Sequence, residues 1–292
     1  MSACANIISM TKPAYHLDAA NHDRDSASKT YVYPVLSRRA GGISIGINLN
    51  PNNACNWRCI YCQVPDLVRG TPPKINLAQL ERELREMLDD ILHGNFMQRH
   101  ALTEAQPLQD IAFSGNGEPT SSSEFPQAVA VVQKFLREYG LLGQLKLRLI
   151  TNGSLIDRPG VLDAIAHLAR NNGETWFKVD AATTAGIFRI NDVHLNPQGV
   201  LQRLRSCARA CPTWVQTCMF ALDGRPPQEE DIAAYLALLE QASRDLAGVH
   251  LYGLARPSMQ PEAPRLQKLP AIWLETLANR IRQLGLTVCV SP

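Results

Sequence analysis

The sequence predicts an α/β protein built from parallel strands, and three observations support this fold class. Six short runs rich in β-branched and apolar residues alternate with stretches that carry apolar residues at helical spacing. The loops after the predicted strands contain unusual polar residues and cysteines, whereas the loops after the predicted helices are plain connectors. Strict alternation indicates right-handed crossovers, and therefore a doubly wound sheet or a full or partial barrel.

The six strand–helix units follow one another from residue 42. The predicted strands lie at residues 42–50, 110–116, 145–153, 175–181, 213–222 and 248–255, and "LTVCV" closes the chain. The helix after the first strand carries Leu77, Leu80 and Leu84 on one face. In either architecture the chemistry belongs at the carboxyl ends of the strands. The loops there contain three cysteines, then "SGNGEPT", "TNGS", "DAATTAGIFRIN" and, after the sixth strand, "ARPS".

Length and composition favour one main domain. The 292 residues are 45% hydrophobic and 19% charged, as in ordinary globular proteins. Residues 1–41 are predicted to be a polar, partly flexible extension and residues 42–292 the α/β domain. The net charge of +2 neither requires nor excludes a polyanionic partner. No signal-peptide pattern and no long apolar run are present, so we expect a cytoplasmic protein without membrane contact.

The stretch "CNWRCIYC" places Cys55, Cys59 and Cys62 within eight positions. Random placement of eight cysteines would give about 0.006 such patterns per chain, so the spacing requires a reason. Thiolates in one tight loop can converge on one metal centre. A zinc knuckle closed by His93 or His100 is an alternative interpretation. A ferredoxin-like electron carrier would need a fourth thiolate.

The other cysteines are not predicted to supply that fourth ligand. Cys207 and Cys211 are four residues apart on the helix that precedes the fifth strand, Cys218 falls in the middle of that strand, and Cys289 lies in the terminal run. None is expected beside the first loop. Buried thiols of this kind commonly act as small apolar side chains. An auxiliary cluster formed by Cys207, Cys211 and Cys218 is the remaining alternative.

The cysteine spacing, with Tyr61 before the last cysteine, resembles the signature of the radical SAM superfamily. "GNGEP" at 115–119 resembles the glycine-rich turn of that family, although Asn116 replaces the second glycine of the tight pair. "ITNG", "FKVDA" and "RIN" resemble, in order and spacing, the branch that includes the tRNA wyosine-base synthases. The likeness extends over about residues 42–256.

The resemblance implies a fold, two cofactors and a set of binding residues. The fold would be a partial TIM-type (βα)6 barrel. The three cysteines would be the catalytic metal ligands of a [4Fe-4S] cluster, whose open iron binds the amino and carboxylate groups of S-adenosyl-L-methionine. The residues that the resemblance places against this cofactor are Tyr61, Gly115, Asn116, Gly117, Glu118, Pro119, Asn152, Lys178 and Asp180. Glu118 would support either the turn or the ammonium group.

Strand alternation adds an expectation for the fourth strand. Trp176, Lys178 and Asp180 share one face, and helices cover the outer face of such a barrel, so Lys178 and Asp180 should point inward. An internal ion pair between Lys178 and Asp180 that merely fills the lumen is the alternative.

Three further side chains occupy positions where a substrate would bind. These candidate substrate residues are Arg189, Tyr252 and Arg256. An arginine at a strand end suits a carboxylate or a phosphate. Arg58, between two of the cysteines, would pair with a negatively charged cluster or face water.

The implied activity is reductive cleavage of S-adenosylmethionine to methionine and a 5′-deoxyadenosyl radical, which abstracts hydrogen from a substrate. The chain shows no flavodoxin-like or second ferredoxin-like module, so an external low-potential donor, flavodoxin or ferredoxin, is expected. The substrate would be a small molecule, a peptide or a tRNA base. A glycyl-radical activating enzyme and a non-catalytic metal-binding module are the alternatives.

Overall fold

A computed structural model describes residues 29–37, 41–100, 102 and 107–292. Within these residues one eight-stranded sheet runs in chain order from edge to edge. Its strands are β1 (Val32–Ser37), β2 (Gly42–Ile47), β3 (Leu108–Phe113), β4 (Lys146–Thr151), β5 (Gly173–Lys178), β6 (Thr213–Cys218), β7 (Gly248–Tyr252) and β8 (Val288–Ser291). β1 is antiparallel to β2, and all later pairs are parallel. The order leaves β1 and β8 at opposite edges, so the described sheet is a half-barrel, and the predicted partial barrel is confirmed.

Helices connect the parallel strands. They are α1 (Leu77–Leu92), α2 (Phe96–Arg99), α3 (Phe125–Glu138), α4 (Val161–Ala169), α5 (Thr184–Asn191), α6 (Pro197–Ala210), α7 (Glu229–Ala242) and α8 (Ala271–Arg282). The Asn76 side chain caps α1 by accepting a hydrogen bond from the amide of Gln79. The predicted apolar face of α1 is confirmed, because Leu80 and Leu84 are fully buried. None of the described helices has the length and apolar character needed to cross a membrane.

The two faces of the sheet differ in chemistry. Alternate residues of β2, such as Ile43 and Ile45, are fully buried in the apolar core between the sheet and the helices. The other face carries charged groups. There Arg148 forms ion pairs with Asp110 and, at 2.7 Å, with Glu174. Burying such charges is tolerated because each is paired. This polar face forms the inner wall of the half-barrel.

Part of the predicted extension belongs to the sheet. β1 lies within residues 1–41 and pairs with β2 along six residues. The carboxylate of Glu83 on α1 accepts hydrogen bonds from the amides of Tyr31 (2.7 Å) and Val32 (3.2 Å). Pro34 interrupts the strand pattern in the sequence, and its position on an edge strand explains why the fold accepts it. Residues 1–28 lie outside the described residues, and the domain boundary at residue 42 stays a prediction.

The loop predicted after the fourth strand contains a helix. The Thr183 side chain caps α5 by accepting a hydrogen bond from the amide of Gly186 at 2.9 Å. The helix ends at Asn191 and is followed by Asp192, which adopts a left-handed conformation with φ of 54°. The helix therefore turns Arg189 toward the outside and buries Asn191 against the sheet.

Candidate active site

Residues 55–62, here called the cysteine loop, carry three cysteines and lie beyond the carboxyl end of β2. Cys55, Cys59 and Cys62 line one cavity of about 340 Å³ on the inner side of the half-barrel. All three are free thiols and half-buried. The expectation that the chemistry-bearing residues gather at the carboxyl ends of the strands fits this placement.

Backbone hydrogen bonds fix the cysteine loop between two other segments. The amides of Arg58 and Ile60 donate to the last carbonyl groups of α5, those of Asn191 (3.2 Å) and Ile190 (2.9 Å). From the opposite side, the Ser258 hydroxyl donates to the carbonyl of Ile60 at 2.8 Å. The loop therefore has a defined position that depends on residues far away in the sequence.

Arg58 adds ion pairs to this attachment. Its guanidinium lies 2.9 Å from Asp192 and 2.8 Å from Glu262. Hydrogen bonds to these carboxylates raise the pKa of Arg58 above its ordinary range. A pairing with the cluster stays a prediction, but Arg58 does not simply face water, because its half-buried guanidinium is paired with both carboxylates. It fastens the cysteine loop to its neighbours instead.

The three thiols are the candidate ligands of a metal centre. Burial raises the pKa of Cys55 to about 11 and that of Cys59 to about 12, so metal binding must displace their protons. Among the described residues no three Cys, His, Asp or Glu side chains lie close enough to hold one metal ion. In an iron–sulfur cluster each thiolate binds a different iron, which accepts a wider spacing. Thiolates are the donors that iron–sulfur clusters use, so the residue types fit such a group, and ligation of a cluster by these three cysteines stays a prediction.

The zinc-knuckle alternative has no support in the geometry. His93 stacks on Tyr139, and His100 packs against Phe96. Neither histidine is among the described residues that line the cavity of the cysteines.

The glycine-rich turn at 115–119 packs tightly against the base of the cysteine loop. A Cβ atom at Gly117 would lie 2.0 Å from the carbonyl oxygen of Ala54. Gly115 has a φ of 143°, and a Cβ there would lie 2.4 Å from Asn48. The amide of Asn116 donates to the same Asn48 side chain at 3.1 Å. The structure thus requires glycine for packing. Close approach to a bound cofactor stays a prediction.

Glu118 joins this turn to the next strand. Its buried carboxylate accepts hydrogen bonds from the hydroxyl of Thr151 and the amide of Asn152, both at 2.6 Å, and from the amide of Thr120 at 3.1 Å. Burial raises the pKa of Glu118. Pro119 begins a short 3-10 turn beside it. Of the two expected roles for Glu118, the contacts favour support of the turn.

Asn152 connects the end of β4 to the cysteine loop. Its amide nitrogen donates to Asn56 at 2.9 Å, and its oxygen accepts from the hydroxyl of Ser154 at 2.7 Å. Asn152 also lines the cavity. The side chain therefore contacts both the wall of the cavity and the segment that carries the cysteines.

Asp180 is the centre of a buried network behind the cavity wall. Its carboxylate accepts hydrogen bonds from the Tyr61 hydroxyl (2.6 Å), the Asn191 amide group (2.9 Å) and the backbone amide of Cys218 (3.1 Å). Lys178 lies 3.6 Å from Asp180 and hydrogen-bonds Tyr61. Burial opposes the charge of Lys178, but the carboxylate of Asp180 leaves its pKa well above the ordinary value. The expected ion pair forms, and Lys178 also lines the cavity.

The structure separates the three candidate substrate residues. Tyr252 and Arg256 line the cavity of the cysteines. Arg189 lies on α5 beside a second cavity of about 400 Å³, near the loop after β6, and forms a 2.5 Å ion pair with Asp231. The sequence placed Arg189 in a loop, whereas the structure places it on a helix, and its role in substrate binding stays a prediction.

Two side chains beside the site were missed by sequence reasoning. Cys218 was expected in mid-strand, but β6 ends at this residue and the buried thiol lines the cavity. Asn191 contacts both Asp180 and Cys59. The register pairs Lys178 with Gln216, so the inward face of β6 carries Gln216 and Cys218. Strand parity would have found Cys218, had the end of the strand been known.

The remaining described cysteines do not form a second cluster site. Cys207 and Cys211 lie in the apolar core, at the amino end of β6, and Cys218 lies at its carboxyl end. Cys289 is exposed. The alternative of an auxiliary cluster is therefore wrong for these residues. Cys4 lies outside the described residues.

Comparisons with known proteins give a matching family and two curated relatives. The sequence profile described as the radical SAM superfamily matches residues 49–236. A GTPase Obg of Brachyspira hyodysenteriae is 28% identical over 123 residues, 42% of this chain and 15% of that protein. The UPF0026 protein MJ1312 of Methanocaldococcus jannaschii is 29% identical over 161 residues, 55% of this chain and 43% of that protein. The chain thus spans less than half the length of these curated relatives.

Two solved structures share the fold at low sequence identity. TYW1 with a lysine-pyruvate adduct bound is 18% identical, with a TM-score of 0.55 over 84% of this chain and 74% of that chain. A radical SAM methyltransferase from Sphaerobacter thermophilus is 13% identical, with a TM-score of 0.58 over 89% of this chain and 68% of that chain.

Proposed function

This chain belongs to the radical SAM superfamily, and from that premise we propose that Cys55, Cys59 and Cys62 ligate its [4Fe-4S] cluster. Enzymes of this family use such a cluster together with S-adenosylmethionine. The observation that carries the assignment is that the three free thiols line one cavity at the carboxyl ends of the strands. When bound, the cluster supplies the electron that cleaves S-adenosylmethionine and starts radical chemistry on the substrate.

We assign the residues around the cavity to two roles toward S-adenosylmethionine. Direct contact is proposed for Tyr61, the turn at 115–117, Asn152 and Lys178, which all line the cavity. The protonated Lys178 provides a cation for a carboxylate there. Glu118 and Asp180 have their oxygens occupied by internal hydrogen bonds. They orient the turn and the Lys178–Tyr61 pair.

For the substrate we propose a small polar molecule or a peptide side chain. The cavity continues from the cysteines along the inner wall to Asp110 and Arg148, and Tyr252 and Arg256 line its side. Such a lining of charged and aromatic groups suits a compact polar substrate. The arginines and the aromatic rings position it, and the surrounding wall limits contact with water.

A tRNA base is less well supported as a substrate. The net charge of +2 provides little general attraction for a polyanion. The only lysine among the described residues that line the cavity is Lys178, which Asp180 keeps protonated. An ammonium group lacks the lone pair needed to form an adduct with a carbonyl compound. A lysine adduct such as the one bound in TYW1 is therefore not favoured here.

The electron donor is proposed to be a separate protein, flavodoxin or ferredoxin. The described cysteines outside the cysteine loop do not form a second cluster site that could relay electrons. Binding of reduced flavodoxin or ferredoxin that supports turnover in place of dithionite would test this assignment.

The decisive experiment is anaerobic reconstitution with iron and sulfide, followed by dithionite and S-adenosylmethionine. We expect a brown protein that forms 5′-deoxyadenosine, measured by chromatography. Cys59→Ala should abolish both the colour and the product, whereas the exposed-thiol control Cys289→Ala should retain both. A colourless, zinc-containing protein would overturn the proposal. Tight tRNA binding that weakens steeply with salt would replace the small-molecule substrate by RNA.

A further inference from the structure

Asn191 connects the buried charge network to one of the three thiols. Its amide nitrogen lies 3.3 Å from the sulfur of Cys59 and 2.9 Å from the carboxylate of Asp180. Both partners are acceptors when ionised, so the NH₂ end of the amide must face them, with one hydrogen for each. The two contacts therefore use both donors of this side chain.

The backbone holds Asn191 in place independently of its side chain. The carbonyl of Asn191 accepts a hydrogen bond from the amide of Arg58, and the carbonyl of Ile190 accepts one from the amide of Ile60. Asn191 is also the last residue of α5 and is only 1% exposed. Replacing its side chain should therefore leave the cysteine loop attached to α5.

The three sulfurs receive different hydrogen bonds. Cys55 accepts a bond from the backbone amide of Trp57 at 3.5 Å. Among the described residues, Asn191 is the only one whose side-chain N–H donates to any of the three sulfurs. Asn191 is therefore a replaceable side chain that donates directly to a cysteine sulfur, that of Cys59.

We propose that Asn191 is a positioning residue that raises the reduction potential of the cluster through its N–H···S bond to Cys59. This inference rests on the proposed function, in which the cluster is bound by the three cysteines. Reduction adds negative charge to the cluster and its thiolates. A hydrogen-bond donor stabilises that charge, and hydrogen bonds to cluster sulfurs are among the factors that set the potential. Loss of the donor should therefore lower the potential.

The test is an EPR-monitored redox titration of the reconstituted full-length protein. For Asn191→Ala we expect wild-type iron content and about a tenfold lower ratio of reduced to oxidised cluster at a fixed potential. For a one-electron reduction this corresponds to a reduction potential lower by about 59 mV. Asn191→Gln, which keeps the donor, should recover part of the shift. Asn171→Ala, at a surface asparagine, is the control and should behave like the wild type.

The possible outcomes separate this inference from the proposed function. An unchanged potential in a folded, iron-loaded Asn191→Ala protein would overturn the inference and leave the cluster assignment intact. Loss of iron from folded Asn191→Ala would also overturn it, because Asn191 would then serve to retain the cluster. If Asn191→Ala does not fold, Asn191→Ser replaces it, and the same potential shift is required. Absence of a cluster in the wild type would reject the proposed function itself.

Discussion

The same C-x3-C spacing occurs twice in this chain, with opposite results. "CNWRC" places Cys55 and Cys59 in a loop at the carboxyl end of β2, where both thiols line a cavity. "CARAC" places Cys207 and Cys211 at the end of α6, where both are buried in the apolar core. In α6 the amide of Cys211 donates to the carbonyl of Cys207, so the spacing is simply one helical turn.

The difference shows that position in the fold, and not spacing alone, decides whether a pair of thiols lines a cavity or packs in the core. The carboxyl ends of parallel strands face the open side of the half-barrel, where groups can reach a ligand. The amino ends are closed by packing, and a thiol there acts as a small apolar side chain. Burial raises the pKa of thiols in both regions, so the direction of the pKa shift does not distinguish the two pairs of thiols.

The largest effect that tests this contrast is on iron content. Cys55→Ala should abolish iron uptake during anaerobic reconstitution, because two thiolates remain where the proposed cluster needs three. Cys211→Ala should retain wild-type iron and lose only about 1 kcal/mol of unfolding free energy from the buried site. Iron analysis and urea unfolding measure the two quantities. Iron loss in Cys211→Ala without loss of stability would show that the core pair also binds metal.

The sequence predicts where the two pairs of thiols lie along the strands and helices, because the signals for these elements are local. The alternation of strands and helices, the helical spacing of Leu80 and Leu84, and the cysteine loop after β2 are all readable within short windows. The α6 face that buries Cys207 follows from the same periodicity. These features required no knowledge of distant contacts.

Other features depend on contacts between distant segments and were therefore missed. The partners of Arg58, at positions 192 and 262, are 134 and 204 residues away along the chain. Asn191 meets Cys59 across 132 residues. The strand β1 and the end of β6 at Cys218 depend on pairing with neighbouring strands. Local patterns do not encode such pairings, and only the folded sheet reveals them.

A smaller effect concerns the stability of iron-free protein at alkaline pH. Burial raises the pKa of Cys207 to about 11 and that of Cys211 to about 12, from an ordinary value near 9. Because the pKa of each thiol is higher in the folded than in the unfolded protein, burial of the protonated thiols contributes to the unfolding free energy below pH 9. This contribution is lost as the pH rises toward 11–12. The loss is at most about 1.4 kcal/mol per thiol and pH unit.

The measurement is urea unfolding at pH 8, 9 and 10 under reducing conditions. In Cys211→Ala the unfolding free energy should fall less between pH 8 and pH 10 than in the wild type, because one buried thiol no longer ionises on unfolding. Cys289→Ala, at an exposed thiol, should keep the wild-type slope of unfolding free energy against pH. Equal slopes in all three proteins would show that the core thiols are not held in the protonated form by burial.

The smallest effect tests whether attachment of the cysteine loop matters for holding iron. Arg58→Ala removes the ion pairs to Asp192 and Glu262, which are partly exposed, so the unfolding free energy should fall by less than about 1 kcal/mol. Iron loss to a chelator should nevertheless accelerate up to about fivefold, because the loop opens more often. Arg265→Ala, which removes an equally close pair with Asp223 at the surface, is the matched control. Similar iron-release rates in both variants would mean that the backbone hydrogen bonds alone position the cysteine loop beyond the carboxyl end of β2. The ion pairs of Arg58 would then not be needed to hold it there.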